Sequence, residues 1–175
     1  MDATSMPPFS PDGNVYVYVE IPKGSHSKYE YDEDLGAIKL DRALYSAVHY
    51  PTEYGFVPST RSQDGELLDA MVLIDDSTFP GCVIETRLIG VLTIRHGSGT
   101  PEYKLLSVPV HEPRFAEYND IADIPEHVLK EIEHFFDVFK ELEGKDLSVE
   151  GWEGAERARQ ALQEGIEAAK EHGRA

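Results

Sequence analysis

The chain has 175 residues, 41% of them apolar and 28% charged, with a formal charge of −17. That length suits one domain with a core of its own and no need of covalent staples. The lone cysteine, Cys82, excludes an intrachain disulfide and a cysteine-based zinc site; the acidity, with no basic cluster to offset it, argues against nucleic acid or anionic membrane as a partner.

Residues 1–12, rich in Pro and Ser, read as a loose arm. Asn14 to Glu20 alternates, with Val15, Val17 and Val19 on one face and Tyr16, Tyr18 and Glu20 on the other, which predicts a strand. A turn at Pro22–Ser27 follows, then short strands over Lys28–Asp32 and Ala37–Arg42. Tyr50 to Pro58 holds two prolines, a glycine and three aromatics, and reads as ordered but irregular. Ala70–Ile74 is a short apolar run, and Cys82–Ile94 a long one that Gly90 is expected to bend. Cys82 in that run reads as a buried thiol. After the loop His96–Pro101, Tyr103–Val110 is another strand. The period then changes. Val128, Leu129, Ile132, Phe135, Phe136, Phe139 and Leu142 recur at helical spacing, with Asp123 and Glu126 as a cap and Gly144 as the stop. A second helix runs from about Glu153 to about His172. Many short strands followed by two helices predict an α+β fold with the sheet closed as a barrel, in one domain over 1–175.

No apolar stretch is long enough for a membrane span, and the N-terminus lacks the basic-then-apolar pattern of a signal peptide. Both point to the cytoplasm. The 33 carboxylates far exceed the needs of any one site. A solvated or salt-adapted surface must account for most of them.

Asp64-Gly-Glu-Leu-Leu-Asp69 is the most telling segment, because carboxylates this dense can share hard cations such as magnesium. Taken alone it reads more readily as an acidic turn in water, since such loops are common and motif matches are often false. Glu20, Glu30, Glu102, Lys104, Lys28 and Arg42 share that ambiguity, since long charged side chains commonly lie along the surface. There is no phosphate-binding P-loop, no dinucleotide fingerprint and no paired-histidine zinc motif.

Read together, these segments resemble the family I inorganic pyrophosphatases of bacteria and archaea. Glu20-Ile-Pro-Lys-Gly-Ser, Lys28-Tyr-Glu30, Asp41-Arg42, His49-Tyr-Pro-Thr-Glu-Tyr54-Gly-Phe and Asp64-Gly-x-x-x-Asp69 occur in the family's order. Phe79-Pro-Gly-Cys-Val-Ile, Lys104, Phe135-Phe136 and Gly151-Trp152-Glu153 extend the match over roughly 14–170. The resemblance implies a small five-stranded, OB-like barrel with flanking strands and two C-terminal helices. It implies hydrolysis of pyrophosphate to two phosphates by a metal-activated water, and a homo-oligomer, commonly a hexamer. By position, Asp64, Asp69 and Glu102 would hold the activating metals, with Glu20, Glu30 and His96 alongside. Glu66 would assist water deprotonation. Lys28, Arg42, Lys104 and Lys140 would neutralise phosphoryl oxygens, and Tyr54 would donate a hydrogen bond to them.

Four positions depart from the pattern. Glu66 stands where the family usually has aspartate, His96 and Glu102 replace two further aspartates in a loop one residue longer, and Phe139 replaces a phosphate-binding tyrosine. These bear on metal choice. Magnesium is expected, while an imidazole at 96 favours manganese, cobalt or zinc. Other readings are a relative acting on another small pyrophosphate compound, a weakly catalytic metal- or phosphate-binding regulator, and an oligonucleotide-binding barrel. The charge argues against the last.

Overall fold

In the computed structural model, which describes residues 2–173, the alternating segment near the start forms β1 (Val15–Ile21). Val15, Val17, Val19 and Ile21 are buried, while Tyr16 and Tyr18 are half-buried, as a period of two requires. There follow β2 (Ser27–Asp32), β3 (Ala37–Ala43), β4 (Glu53–Phe56), β5 (Asp69–Val72), β6 (Val83–His96) and β7 (Pro101–Pro109). The chain ends with helix α1 (Glu126–Val138), β8 (Leu147–Gly154) and helix α2 (Ala155–His172).

β1 pairs with β4 on one side and with β6 on the other. β4 runs antiparallel to β5, β5 parallel to β7, and β7 antiparallel to β6. The ring β1-β4-β5-β7-β6 therefore closes on itself, giving the expected five-stranded barrel with no free edge inside the ring. β8 is added outside β6, and β2 and β3 form a separate two-stranded ribbon. α1 packs Ile132, Phe135 and Phe136 onto Tyr50, Met71, Leu92 and Leu106. α2 packs Ala158, Ala161 and Leu162 onto Val17, Val91 and Leu105.

Several local expectations change. The segment 50–58 contains a regular strand, β4, and Gly55 makes that possible. A Cβ at Gly55 would lie 1.9 Å from the Tyr18 carbonyl oxygen, so only glycine lets β1 pass this close. At Gly90 the pairing register of β6 shifts, but the strand continues to His96. A Cβ there would meet Ile121 Cδ1 at 2.8 Å and Glu153 O at 2.9 Å, so the glycine serves close packing. α1 stops at Val138, and Gly144 closes a separate single turn over Glu141–Glu143. Asp123 caps an earlier short turn together with Asp120 rather than opening α1. β8 had no sequence forecast. Cys82 is half-buried.

The arm is not loose. Ala3 and Thr4 are buried, the Ser59 N–H donates to Thr4 O at 2.7 Å, and Tyr16 N donates to Pro8 O at 2.9 Å. Met1, Arg174 and Ala175, the ends of the 1–175 span, lie outside the described residues. No described helix is long and apolar enough to cross a membrane.

Candidate active site

A cleft of about 250 Å³ opens on the barrel, between the β2–β3 ribbon, the loop 60–68, the β6–β7 hairpin and the end of α1. It gathers Glu20, Lys28, Glu30, Tyr54, Asp64, Glu66, Asp69, His96, Glu102, Lys104 and Lys140, every residue singled out by sequence except Arg42.

Carboxylates form one wall. Glu20, at the end of β1, is 9% exposed and accepts a hydrogen bond from Tyr31 N at 2.7 Å. Burial first, then the negative charges of Asp69 and Glu30, push its pKa up to about 8. The pKa of Glu66 is also raised, by burial and then by Asp64 and Glu30. Asp64 accepts from Glu66 N at 3.0 Å and from the Ser62 hydroxyl, which folds the acidic loop on itself. Asp69 opens β5 and faces the second wall.

That wall is basic. Lys104 on β7 is only 4% exposed, yet its ammonium is well satisfied. It lies 2.8 Å from Asp69 Oδ2, donates to the Tyr54 hydroxyl oxygen at 2.6 Å, and sits over the Tyr54 and Phe136 rings at 5.1 and 5.2 Å. The Tyr54 hydroxyl in turn donates to Asp69 Oδ2 at 2.6 Å. Its proton is therefore committed to Asp69, where a bond to substrate had been expected. Lys140 follows α1, and burial together with the charges of Lys28 and Lys104 lowers its pKa to about 8. Three ammonium groups gathered around one volume make a receptor for a compact polyanion.

Arg42 is the exception. Its guanidinium is held 2.6 Å from Asp41 Oδ2 and 2.7 Å from Glu143 Oε1, outside the cleft lining. Two adjacent carboxylates outcompete the open cleft for it. Lys28 lines the cleft but is also tethered to Asp41 at 3.1 Å. His96 Nε2 stands 3.1 Å from Glu102 Oε1 at the root of the β6–β7 hairpin, so two of the four altered positions touch each other. Phe139 is buried, stacked on Phe135 at 5.1 Å and edge-on to Phe136 at 5.4 Å. A phenyl ring suits that aromatic packing.

Sequence reasoning passed over Tyr31, Tyr50 and Phe136, which also line the cleft, and Glu143, which anchors Arg42. Aromatic side chains beside site residues were the only available signal. For Glu143 there was none, because its partner lies 101 residues away.

Among the described residues, no three His, Cys, Asp or Glu side chains converge to enclose one ion. The donor set is nevertheless that of a hard-cation site. It is oxygen-rich, crowded and electrostatically strained, as the raised pKa values of Glu20 and Glu66 attest. The residues fit divalent cations on one side and a small polyanion on the other. That is the construction of a metal-assisted phosphohydrolase built on a barrel.

The comparisons with known proteins make the class specific. The family model described as inorganic pyrophosphatase matches residues 17–170. The chain belongs to the inorganic pyrophosphatase family. It is 49% identical over 152 residues to an inorganic pyrophosphatase of Geobacillus stearothermophilus, covering 87% of this chain and 92% of that one. It is 44% identical over 170 residues to one of Nostoc, covering 97% and 100%. The crystal structure of the Thermus thermophilus inorganic pyrophosphatase superposes with a TM-score of 0.92 at 40% identity, over 97% of this chain and 99% of that one.

Proposed function

We propose that this chain hydrolyses inorganic pyrophosphate to two phosphates, using divalent cations held by the carboxylate wall, with Mg2+ as the leading ion. The observation that carries this reading is the gathering of Asp64, Glu66, Asp69 and Glu102 with Lys28, Lys104 and Lys140 around one cleft. Bound divalent cations would polarise phosphoryl oxygens and acidify a coordinated water. Glu66, its proton affinity raised by burial and by Asp64, takes a proton from the attacking water. Glu20, Glu30 and His96 border the same wall. The lysines stabilise charge on the bridging oxygen as the P–O bond breaks. Asp69 joins the walls by accepting from both Tyr54 and Lys104. Arg42 acts one step removed, tying Asp41, and through it Lys28, to the turn that follows Lys140. The family match over residues 17–170 favours a working hydrolase over a regulatory relative or one retuned to another pyrophosphate compound. Self-association belongs to the same proposal, supported by exposed Leu40, Tyr45 and Leu142.

The test is phosphate release from pyrophosphate after exhaustive chelation, then with Mg2+, Mn2+, Co2+ or Zn2+ restored singly. Activity should vanish and return. Full turnover by a verified metal-free preparation would overturn the mechanism.

A further inference from the structure

We infer that residues Asp2–Met6 are a strap that positions the carboxylate wall of the cleft, with Tyr31 as its anchor. The inference rests on the reading of that wall as a cation site. Asp2 caps a short turn over Ala3–Ser5, accepting from Thr4 N at 3.1 Å and from Thr4 Oγ1 at 2.7 Å. The Tyr31 hydroxyl donates to Asp2 Oδ1 at 3.1 Å and accepts from Ala3 N at 3.3 Å. The strap is pinned at its far end too, where the Ser59 hydroxyl donates to Met6 O at 2.8 Å and the Ser59 N–H to Thr4 O at 2.7 Å. Ser59 adopts a φ of 57°, a left-handed conformation uncommon for serine.

The strap's apolar contact is with the floor of the cleft. Ala3, Tyr31 and Phe56 form a small buried cluster of their own, with Leu67 packed against it. Tyr31, Phe56 and Leu67 all line the cleft. Tyr31 is thus held on two sides. Its ring and hydroxyl belong to the strap, while its backbone N–H donates to Glu20 Oε2. Tyr31 also follows Glu30 on β2, and Leu67 follows Glu66. A displacement of the Tyr31 ring therefore moves the supports of three wall carboxylates. It leaves alone Lys104 on β7 and Lys140 after α1, while Lys28, which shares β2 with Tyr31, is held separately by Asp41 at 3.1 Å. Outer partners of this kind commonly change metal affinity about tenfold or more when lost.

This separation makes the role measurable. The variants are Asp2→Ala, Tyr31→Phe and, as the conservative control, Asp2→Asn, whose amide oxygen still accepts from Thr4 N and the Tyr31 hydroxyl. Mg2+ and Mn2+ affinities are titrated by calorimetry without pyrophosphate. The metal concentration for half-maximal hydrolysis and the KM for pyrophosphate at saturating metal are measured in parallel. Circular dichroism confirms the fold, and limited proteolysis reports whether the strap has come free. Asp2→Ala and Tyr31→Phe should weaken metal binding about tenfold with KM unchanged, and Asp2→Asn should stay near the parent. Unchanged metal affinity in variants whose strap is cleaved readily, or an equal rise in KM, would overturn the inference. So would a strap that stays protected in both variants. Because the calorimetry needs no turnover, a parent protein inactive on pyrophosphate would count against the proposed function without deciding the strap.

Discussion

Replacing Glu20 by Gln should make the metal-free protein more stable at neutral pH, and the gain should disappear in acid. Glu20 is 9% exposed and accepts from only one described donor, the Tyr31 N–H, while Asp69 and Glu30 oppose its charge. Its pKa rises from 4.5 to about 8 on folding. Between those values the folded state holds a proton that the unfolded state has released. The associated stability is fully present below pH 4.5 and is lost as pH climbs towards 8, at about 1.4 kcal/mol per pH unit. From pH 5 to 7.5 the loss is on the order of 3 kcal/mol.

Of the other groups whose pKa is shifted on folding, few act in that window. The lowered carboxyl groups of Asp2, Asp41, Glu85 and Asp120 titrate below it, and Lys140, lowered to about 8, acts above it with the opposite slope. Glu66, raised in the same sense, adds to the effect. The assay is urea denaturation in chelator at fixed protein concentration from pH 5 to 7.5. The parent should show a falling midpoint and Glu20→Gln a much flatter one. Saturating divalent cation should flatten the parent as well, because a bound cation replaces the proton as the neutralising partner. A metal-free parent with no slope, or a variant with the parental slope, would refute the argument.

Asp69→Asn removes the charge facing Lys104 and a central wall carboxylate, and should cost far more turnover than Glu112→Gln, which lies outside the cleft; equal losses with folding intact would count against the site. Glu53 is fully buried, accepting from Lys23 N at 2.6 Å and from Thr78 N, so Glu53→Ala should leave two half-buried donors without their acceptor and cost about 1–3 kcal/mol in denaturant titrations. His96→Asp should shift metal preference towards Mg2+ relative to Mn2+, because an oxygen ligand replaces an imidazole beside Glu102; an unchanged ratio of activities would show that His96 takes no part in holding the ion.

The barrel was legible where burial is one-sided. β1 alternates because one face meets the core, and α1 and α2 each carry a continuous stripe. β8 was missed although Leu147, Val149 and Trp152 alternate with exposed Ser148, Glu150 and Glu153; the register shifts beside Gly151, which breaks the period, and no residue of the strand is fully buried on the outside of β6. β4 was hidden by Gly55 and Pro51, which read as breakers although Gly55 is what admits the strand. Within the cleft, charged side chains close in sequence to a glycine or proline turn were found, because such segments carry their own signal. What the sequence withheld were pairings decided by competition in space. Tyr54 gives its proton to Asp69, Arg42 is captured by Glu143, and Asp2 reaches Tyr31 across 29 positions.

A protein of charge −17 that binds a polyanion needs a reason for the anion to approach. Seven carboxyl groups and three lysines line the cleft, so its own field repels pyrophosphate even when Glu20 keeps its proton. Lys104 cannot correct this, because its charge is already shared with Asp69. Each divalent cation on the carboxylate wall adds two positive charges where the repulsion arises, and two such ions offset the whole excess of carboxylates over lysines. Attraction is thus conditional on metal. The same carboxylates that exclude the free anion make the metal-loaded cleft receptive to it, and the lysines then act at short range on an anion already drawn in.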